Sequence, residues 1–403
     1  MVGSAAEPSR PVAWLIAARA LRDFGDGFVA VLLPVYLLSL GFSALQVGVL
    51  ATLSLAGSAL LTLAFGVLGG RHDPLGLLRV CAALMIATGM AFTAVHDYGV
   101  LLAVAFVGTI NPSAGGVSVF VPLEHAALTR EVVASRRTWM FAHYSLIGAL
   151  AAALGAFAAA GPELLGSFGV ERRAALRAMF GLYAMLGLGA AICYARVPPR
   201  PRPKPDAPAS TLGPSRRIVV RLALLFCLDS FAGGLVVQSL LALWLFERFG
   251  LSLVEAGAFF FWSGLLSAAS FPVAARLANR FGLIPTMVFT HIPASLMLIA
   301  AAFATDVRVA LGLLLARAFL SQMDVPTRSS YVMAVVSEPE RAAAASFTAV
   351  PRSLAAAASP ALSGALFAAS LHTWPLLLCG ALKIAYDLLL LRQFRHVRPP
   401  EER

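Results

Sequence analysis

The chain has 403 residues, of which 59% are hydrophobic and only 13% charged, and its formal net charge is +11. An ordinary soluble domain is about 45–50% apolar and about 25% charged, and soluble cores stop growing at about 250–300 residues, so this apolar excess excludes a soluble interior as well as disorder. With 33 Gly and 4 Cys it is neither collagen-like nor a disulfide scaffold, which leaves a polytopic membrane protein.

A helix needs about 20 apolar residues to cross a bilayer. Twelve such segments are predicted, over 12–40, 46–69, 76–95, 99–121, 138–160, 175–195, 217–247, 253–275, 284–304, 308–334, 343–370 and 375–393. Lipid offers an open backbone no hydrogen bonds, so the spans are expected to be helices and the fold all-α. Runs such as Ala149–Ala160 lack the alternation of barrel strands. Arg22, Asp23 and Asp26 interrupt the first segment, so it does not read as a cleavable signal. The four cysteines all lie in apolar runs without metal-ligand spacing, and no metal is expected.

Nineteen of the 31 Lys and Arg fall in the tails and in the loops on the same side as the N-terminus; five fall on the other side. By the positive-inside rule both termini are expected in the cytoplasm, and the net charge needs no nucleic-acid partner. The longest connection carries Pro198-Pro-Arg200-Pro-Arg202-Pro-Lys204-Pro205, a stiff and extended composition suited to a tether. The expected organisation is a tail over 1–11, a six-helix bundle over 12–195, a linker over 196–216, a second bundle over 217–393 and a tail over 394–403.

The halves repeat. Gly41, Ser43 and Gly48 match Gly250, Ser252 and Gly257 at an offset of 209, and the same offset carries Arg71 onto Arg280. A duplicated six-helix unit is a hallmark of secondary transporters. The loop Gly66-Val-Leu-Gly-Gly-Arg71-His-Asp73-Pro-Leu-Gly76, its second copy Arg276-Leu-Ala-Asn279-Arg280-Phe-Gly282, and the stretch from Glu338-Pro-Glu-Arg341 to Ser359-Pro-Ala-Leu-Ser-Gly364 resemble the major facilitator superfamily over the whole chain. Gly70 stands where that family usually has an acidic residue before the Arg. The Gly-Pro dipeptide of its antiporters occurs here only as Gly161-Pro162, at the end of the fifth span. The resemblance implies a central cavity lined by the first, fourth, seventh and tenth spans. It also suggests gating loops around Arg71, Asp73, Asn279 and Arg280.

Charges inside a membrane are expected to face such a cavity or one another. In the tenth span Arg317 is about 14 Å in from Arg308, near the midplane. No partner lies within a turn of it, while Asp324 and Arg328 can pair at i, i+4. In the eleventh, Arg352 lies about 17 Å from Arg341. In the first, Arg19/Asp23 and Arg22/Asp26 are expected i, i+4 pairs, and Asp26 is a candidate proton site. Asp229 and Gln238 of the seventh span, Asn111 and Ser113 beside Pro112 in the fourth, and His143 in the fifth complete the candidate pathway. Lys383 and Asp387 are expected to pair locally in the twelfth, His291-Ile-Pro293 to mark a kink, and Glu124 and His125 to end the fourth span at the cytoplasmic surface.

No hydrolase elbow, P-loop or dinucleotide fingerprint is present, so no enzyme activity and no cofactor is expected. The reading is a monomeric secondary active transporter of a small molecule in the cell membrane, with proton coupling left open. Two deep arginines favour an anionic substrate; Asp26, Asp229 and Asp324 favour a cation. The alternative is a sensor or scaffold that keeps the fold, in which the intramembrane charges would be lost or would all pair locally.

Overall fold

The computed structural model describes residues 10–69, 73–114, 118–132, 137–198, 213–337 and 340–394. Arg71 and the proline-rich core of the linker fall outside these residues. Among the described residues there are seventeen α-helices and no strand. Eight helical stretches are long and apolar enough to cross a membrane, and large apolar side chains such as Met185, Leu224 and Phe289 point outward, as lipid-facing residues do. This is a multi-pass membrane protein.

In chain order the N-terminal half runs through α1 (Arg10–Ser39), α2 (Ala44–Gly69), α3 (Pro74–Ala94), α4 (Tyr98–Val107), α5 (Phe120–Glu131), α6 (Arg137–Ala158), the short α7 (Gly161–Ser167) and α8 (Arg172–Ala195). The C-terminal half runs through α9 (Arg216–Gly234), α10 (Gln238–Phe249), α11 (Leu253–Phe281), α12 (Leu283–Phe303), α13 (Val307–Ser321), α14 (Asp324–Val335), α15 (Arg341–Ala358), α16 (Pro360–Ala368) and α17 (Trp374–Phe394). Residues 25–37 of α1 and 239–245 of α10 are buried all round, which places these two helices at the centre of the molecule.

The repeat seen in the sequence has a local physical basis. Gly41 and Gly250 turn the chain with φ of +90° and +65°, a region that suits glycine. Two residues later a serine starts the next helix in each half. Ser43 Oγ accepts the Gln46 amide (3.3 Å) while Gln46 Oε1 accepts the Ser43 amide (2.8 Å). Ser252 and Glu255 exchange the same pair of bonds at 3.1 and 2.8 Å. Both are reciprocal capping boxes.

Four of the twelve expected spans are broken rather than continuous. The fourth divides into α4 and α5 around Pro112, the seventh into α9 and α10 after Gly233-Gly234, the tenth into α13 and α14 at Gln322-Met323, and the eleventh into α15 and α16 at Ser359-Pro360. Proline and paired glycines explain three of these breaks, since they weaken the helical ladder locally. A break inside a membrane frees backbone groups that must find partners in the protein, and here helices supply one another. Ser359 Oγ donates to Phe231 O (2.6 Å) and Ser363 Oγ to Leu235 O (2.7 Å), so α16 and its cap satisfy the seventh span. The Ala361 amide donates to Thr52 Oγ1 of α2 (2.9 Å), and the Ser239 amide donates to Pro112 O (3.0 Å).

The last two bonds join the halves. The seam they belong to lies in the middle of the molecule and toward the far face, the one that carries the turns at Gly41 and Gly250. Glu163 accepts the Leu253 amide there at 2.7 Å. The repeat-matched glycines sit in this seam. A Cβ on Gly48 would stand 2.6 Å from Pro360 O and 2.8 Å from Gly364 Cα; one on Gly257 would stand 2.8 Å from Ala156 O. At the opposite face, Arg130–Asp73 (2.9 Å) and Glu340 with Gly213 are pairs within one half.

Candidate functional site

Two clusters of buried charge occupy the halves. In the N-terminal half the hub is Glu124, which is fully buried on α5. Arg22 of α1 reaches it with Nη2 at 2.8 Å and Nε at 3.4 Å, and the hydroxyls of Tyr144 (α6) and Tyr194 (α8) both donate to it. The expectation that Glu124 ends a span at the surface is therefore wrong: the fourth span continues past its break to Glu131, which draws Glu124 inside. The expected Arg22/Asp26 pair is also absent. Arg22 turns to Glu124 because a bidentate, charge-assisted contact outweighs a local one, and its second acid is Asp23 at 3.7 Å. The Arg19/Asp23 pair forms at 2.7 Å. It presses on α6 where Gly148 leaves room; a Cβ there would come within 2.5 Å of both partners.

In the C-terminal half the hub is Asp229 of α9. It meets Arg328 at 2.9 Å and Lys383 at 2.6 Å. Arg328 also pairs with Asp324 at 2.6 Å, the expected i, i+4 contact. Lys383 does not pair with Asp387 as expected. Asp387 instead meets His291 Nδ1 at 3.0 Å, and Lys383 Nζ lies 3.3 Å from His291 Nε2. His291 is thus part of a polar chain across α12, α17 and α9, with Pro293 inside α12 one half-turn on. The two hubs have opposite polarity: a cation on the first span meets an anion on the fourth, and an anion on the seventh meets a cation on the tenth.

Arg317, Arg352 and Asp26 stand outside these pairs. Arg317 and Arg352 are half-buried, and neither makes an ion pair or hydrogen bond with another described residue. Cys379 is the ionisable neighbour of Arg317, whereas Arg352 faces the Arg328–Asp229–Asp324 cluster beyond contact distance. Asp26 is buried and has no cationic partner within 4.0 Å among the described residues. Among the described residues its one polar contact is a long one, to the Tyr183 hydroxyl at 3.4 Å.

The remaining candidates are placed as follows. Asn111 Oδ1 accepts the amide and hydroxyl of Ser113 at 2.9 and 2.8 Å, which folds the break into a tight local turn. Gln238 begins α10 and is half-buried. His143 Nδ1 lies 2.9 Å from the Trp139 carbonyl one turn earlier, a local bond within α6. Asp73 pairs with Arg130, Asn279 and Arg280 are exposed, and Arg280 stacks over Phe281 at 5.3 Å. Sequence reasoning named Glu124 and His291 but gave them no site role, and it passed over Tyr144, Tyr194 and Tyr183. An acid between the apolar runs 120–123 and 126–128 was the available signal for Glu124; the tyrosines carried none.

The family model described as Major Facilitator Superfamily matches residues 15–321 and 222–403. Uncharacterized membrane protein YJR124C of Saccharomyces cerevisiae is 28% identical over 151 residues, 37% of this chain and 33% of that protein, so the match spans a third of that relative's length. The crystal structure of a bacterial homolog to the human lysosomal transporter Spinster, inward-facing and occupied, is similar with a TM-score of 0.75 and 16% identity over 98% of this chain and 99% of that one. The crystal structure of the human organic anion transporter MFSD10 (TETRAN) is similar with a TM-score of 0.65 and 17% identity over 96% and 100%. These likenesses carry the fold; with a family model matched along nearly its whole length, the chain belongs to the Major Facilitator Superfamily.

Proposed function

We propose that the protein is a proton-coupled secondary active transporter of a small organic anion, working by alternating access of two bundles over 12–195 and 217–393 in the cell membrane with both termini cytoplasmic. The observation that carries this reading is the pair of unpartnered guanidinium groups. Among the described residues of the C-terminal half, Arg328 and Lys383 each have an acid within 3 Å, whereas Arg317 and Arg352 pair with none. A charge held in a membrane protein without a partner is costly, and a carboxylate or phosphate on the substrate offsets that cost. A sensor or scaffold would have no use for charges left in this state. Asp26 is the carboxyl that can exchange a proton without breaking an ion pair. With both termini cytoplasmic, the contacts across the far-face seam support an inward-facing reading, with the loops around Arg71 and Arg280 as latches of the opposite state.

The test is flux in proteoliposomes with an imposed pH gradient, screening mono- and dicarboxylates and organic phosphates against cationic and neutral compounds. An anion is expected to move. Arg317→Lys is expected to insert and fold but to transport poorly, because an ammonium lacks the bidentate fork, and Arg352→Lys to show a milder defect. Wild-type flux in Arg317→Lys, or rescue by Asp26→Asn, Asp229→Asn or Asp324→Asn in the double variants, would overturn the binding role. A pH gradient that drives no flux would overturn the coupling.

A further inference from the structure

We propose that Tyr183 transmits the protonation of Asp26 to the broken fourth span and, through it, to the seam between the halves; this deepens the transporter reading above and rests on it.

The basis is one phenolic proton that either the Thr109 carbonyl or Asp26 can accept, with the Thr109 hydroxyl also in contact at 3.3 Å. Tyr183 is buried on α8, with its hydroxyl 3.0 Å from the Thr109 carbonyl and 3.4 Å from Asp26 Oδ1. The Thr109 carbonyl lies just past the end of α4. Its helical partner would be the Ser113 amide, which is occupied by Asn111 Oδ1. Tyr183 is therefore the donor that replaces the lost rung. A hydroxyl carries a single hydrogen, so Tyr183 cannot serve both acceptors. At 3.0 Å the Thr109 bond falls within the range of an O–H···O contact, and the 3.4 Å contact to Asp26 falls outside it. This is the arrangement expected when Asp26 is protonated and needs no donor.

Loss of that proton leaves a buried carboxylate with one hydroxyl in reach among the described residues. Charge-assisted hydrogen bonds are the stronger ones, so the phenolic hydrogen turns to Asp26 and the Thr109 carbonyl is left without a donor. No bond other than this hydrogen bond changes partner, and the proton itself leaves to water. Three residues beyond Thr109, the Pro112 carbonyl accepts the Ser239 amide of α10. Destabilising the Thr109–Pro112 turn thus acts on a bond that joins the halves at the middle of the molecule.

The charged surroundings leave this role to Asp26. On its own helix Arg19 is held by Asp23, and Arg22 by Glu124 and Asp23. Tyr144 of α6, at Glu124, and Tyr194 of α8, also at Glu124, are engaged elsewhere. The other helices packed on α1 carry few titratable groups: α2 has none, α5 adds His125, Arg130 and Glu131 to Glu124, α6 adds Arg137 and His143, and α8 adds Arg172, Arg173, Arg177 and Cys193. In α10 they are Glu247 and Arg248, and in α11 Glu255, Arg276 and Arg280. Among the described residues, Asp26 and Tyr183 make no hydrogen-bond contact with any of these.

The test needs no substrate, only protons. The full chain with Cys227→Ser, Leu45→Cys and Leu362→Cys is spin-labelled across the far-face seam, in nanodiscs, and the label distance is read at acidic and alkaline pH. The short distance is expected to dominate in acid and to lose population in base. Asp26→Asn is expected to hold the acid distribution at both pH values, and Tyr183→Phe to lose the pH response with Asp26 intact. If Asp26→Asn is insensitive and Tyr183→Phe still responds, the role of Tyr183 is overturned and the transporter reading stands. If Asp26→Asn responds like the parent, or the parent does not respond, Asp26 is not the coupling site and both fall. Should Tyr183→Phe not yield folded protein, acid-minus-alkaline infrared difference spectra of the parent decide. The tyrosine C–O mode is expected to shift with the carboxyl band that Asp26→Asn removes, and a static tyrosine mode overturns the proposal.

Discussion

Arg22 and Glu124 meet at 2.8 Å from spans 102 residues apart in sequence, and neither has appreciable exposed surface. Their contact binds α1 to α5, and the two tyrosine hydroxyls on the same carboxylate add α6 and α8. One buried acid thus joins four helices of the N-terminal half.

Removing that acid is expected to strand a guanidinium. Breaking a buried pair from one side costs about 3–5 kcal/mol. Glu124→Gln should lower the melting temperature of the purified protein steeply, and adding Arg22→Met should restore a large part of the loss. If the double variant is no more stable than the single, the pair is not the source of the effect.

The C-terminal hub gives a second cycle. Asp229 serves two cations, and Arg328 keeps Asp324 when it is lost. Asp229→Asn should therefore expose mainly Lys383. The variants Asp229→Asn and Lys383→Met are expected to be strongly non-additive in melting temperature, with a coupling of about 1–3 kcal/mol. Simple additivity would mean that the 2.6 Å contact contributes nothing.

At the seam, Gly48→Val should act on conformation. Its Cβ would meet backbone at 2.6–2.8 Å, and backbone cannot turn aside. The expected outcome is a protein that inserts normally but opens its far face, read as increased thiol labelling at Leu362→Cys. Unchanged labelling together with a lower melting temperature would assign Gly48 to packing alone.

Glu340 sets a pH dependence outside the membrane. Bonds from Ser215, Ser337 and the Gly213 amide hold its carboxyl down at about 2, against an ordinary 4.5. A depressed value contributes stability in full above 4.5 and loses it as pH falls toward 2. The melting-temperature gap between the parent and Glu340→Gln should be constant from neutral pH down to about 5 and close below that. Amide exchange at the start of α9 should be faster in the variant at neutral pH.

The sequence by itself determined what is local or periodic. Apolar runs of bilayer length placed the spans, since a hydrocarbon solvent leaves helices as the open option. The 209-residue offset marked the repeat, and the matched capping boxes at Ser43 and Ser252 show why those residues recur. Pairs one turn apart, Arg19/Asp23 and Asp324/Arg328, were legible because helix geometry alone brings them together. Tertiary structure decided the rest. Arg22, Lys383 and Asp387 each had a local partner in reach and took a distant one, because in a low-dielectric interior the best geometry outweighs the nearest acid. The breaks at Gln322-Met323 and Ser359-Pro360 became tolerable only where a neighbouring helix could meet the freed backbone, as Thr52 does for Ala361. The contact between Tyr183 and Thr109 joins residues 74 positions apart, and no spacing rule in a sequence reports a distance set by how three helices pack.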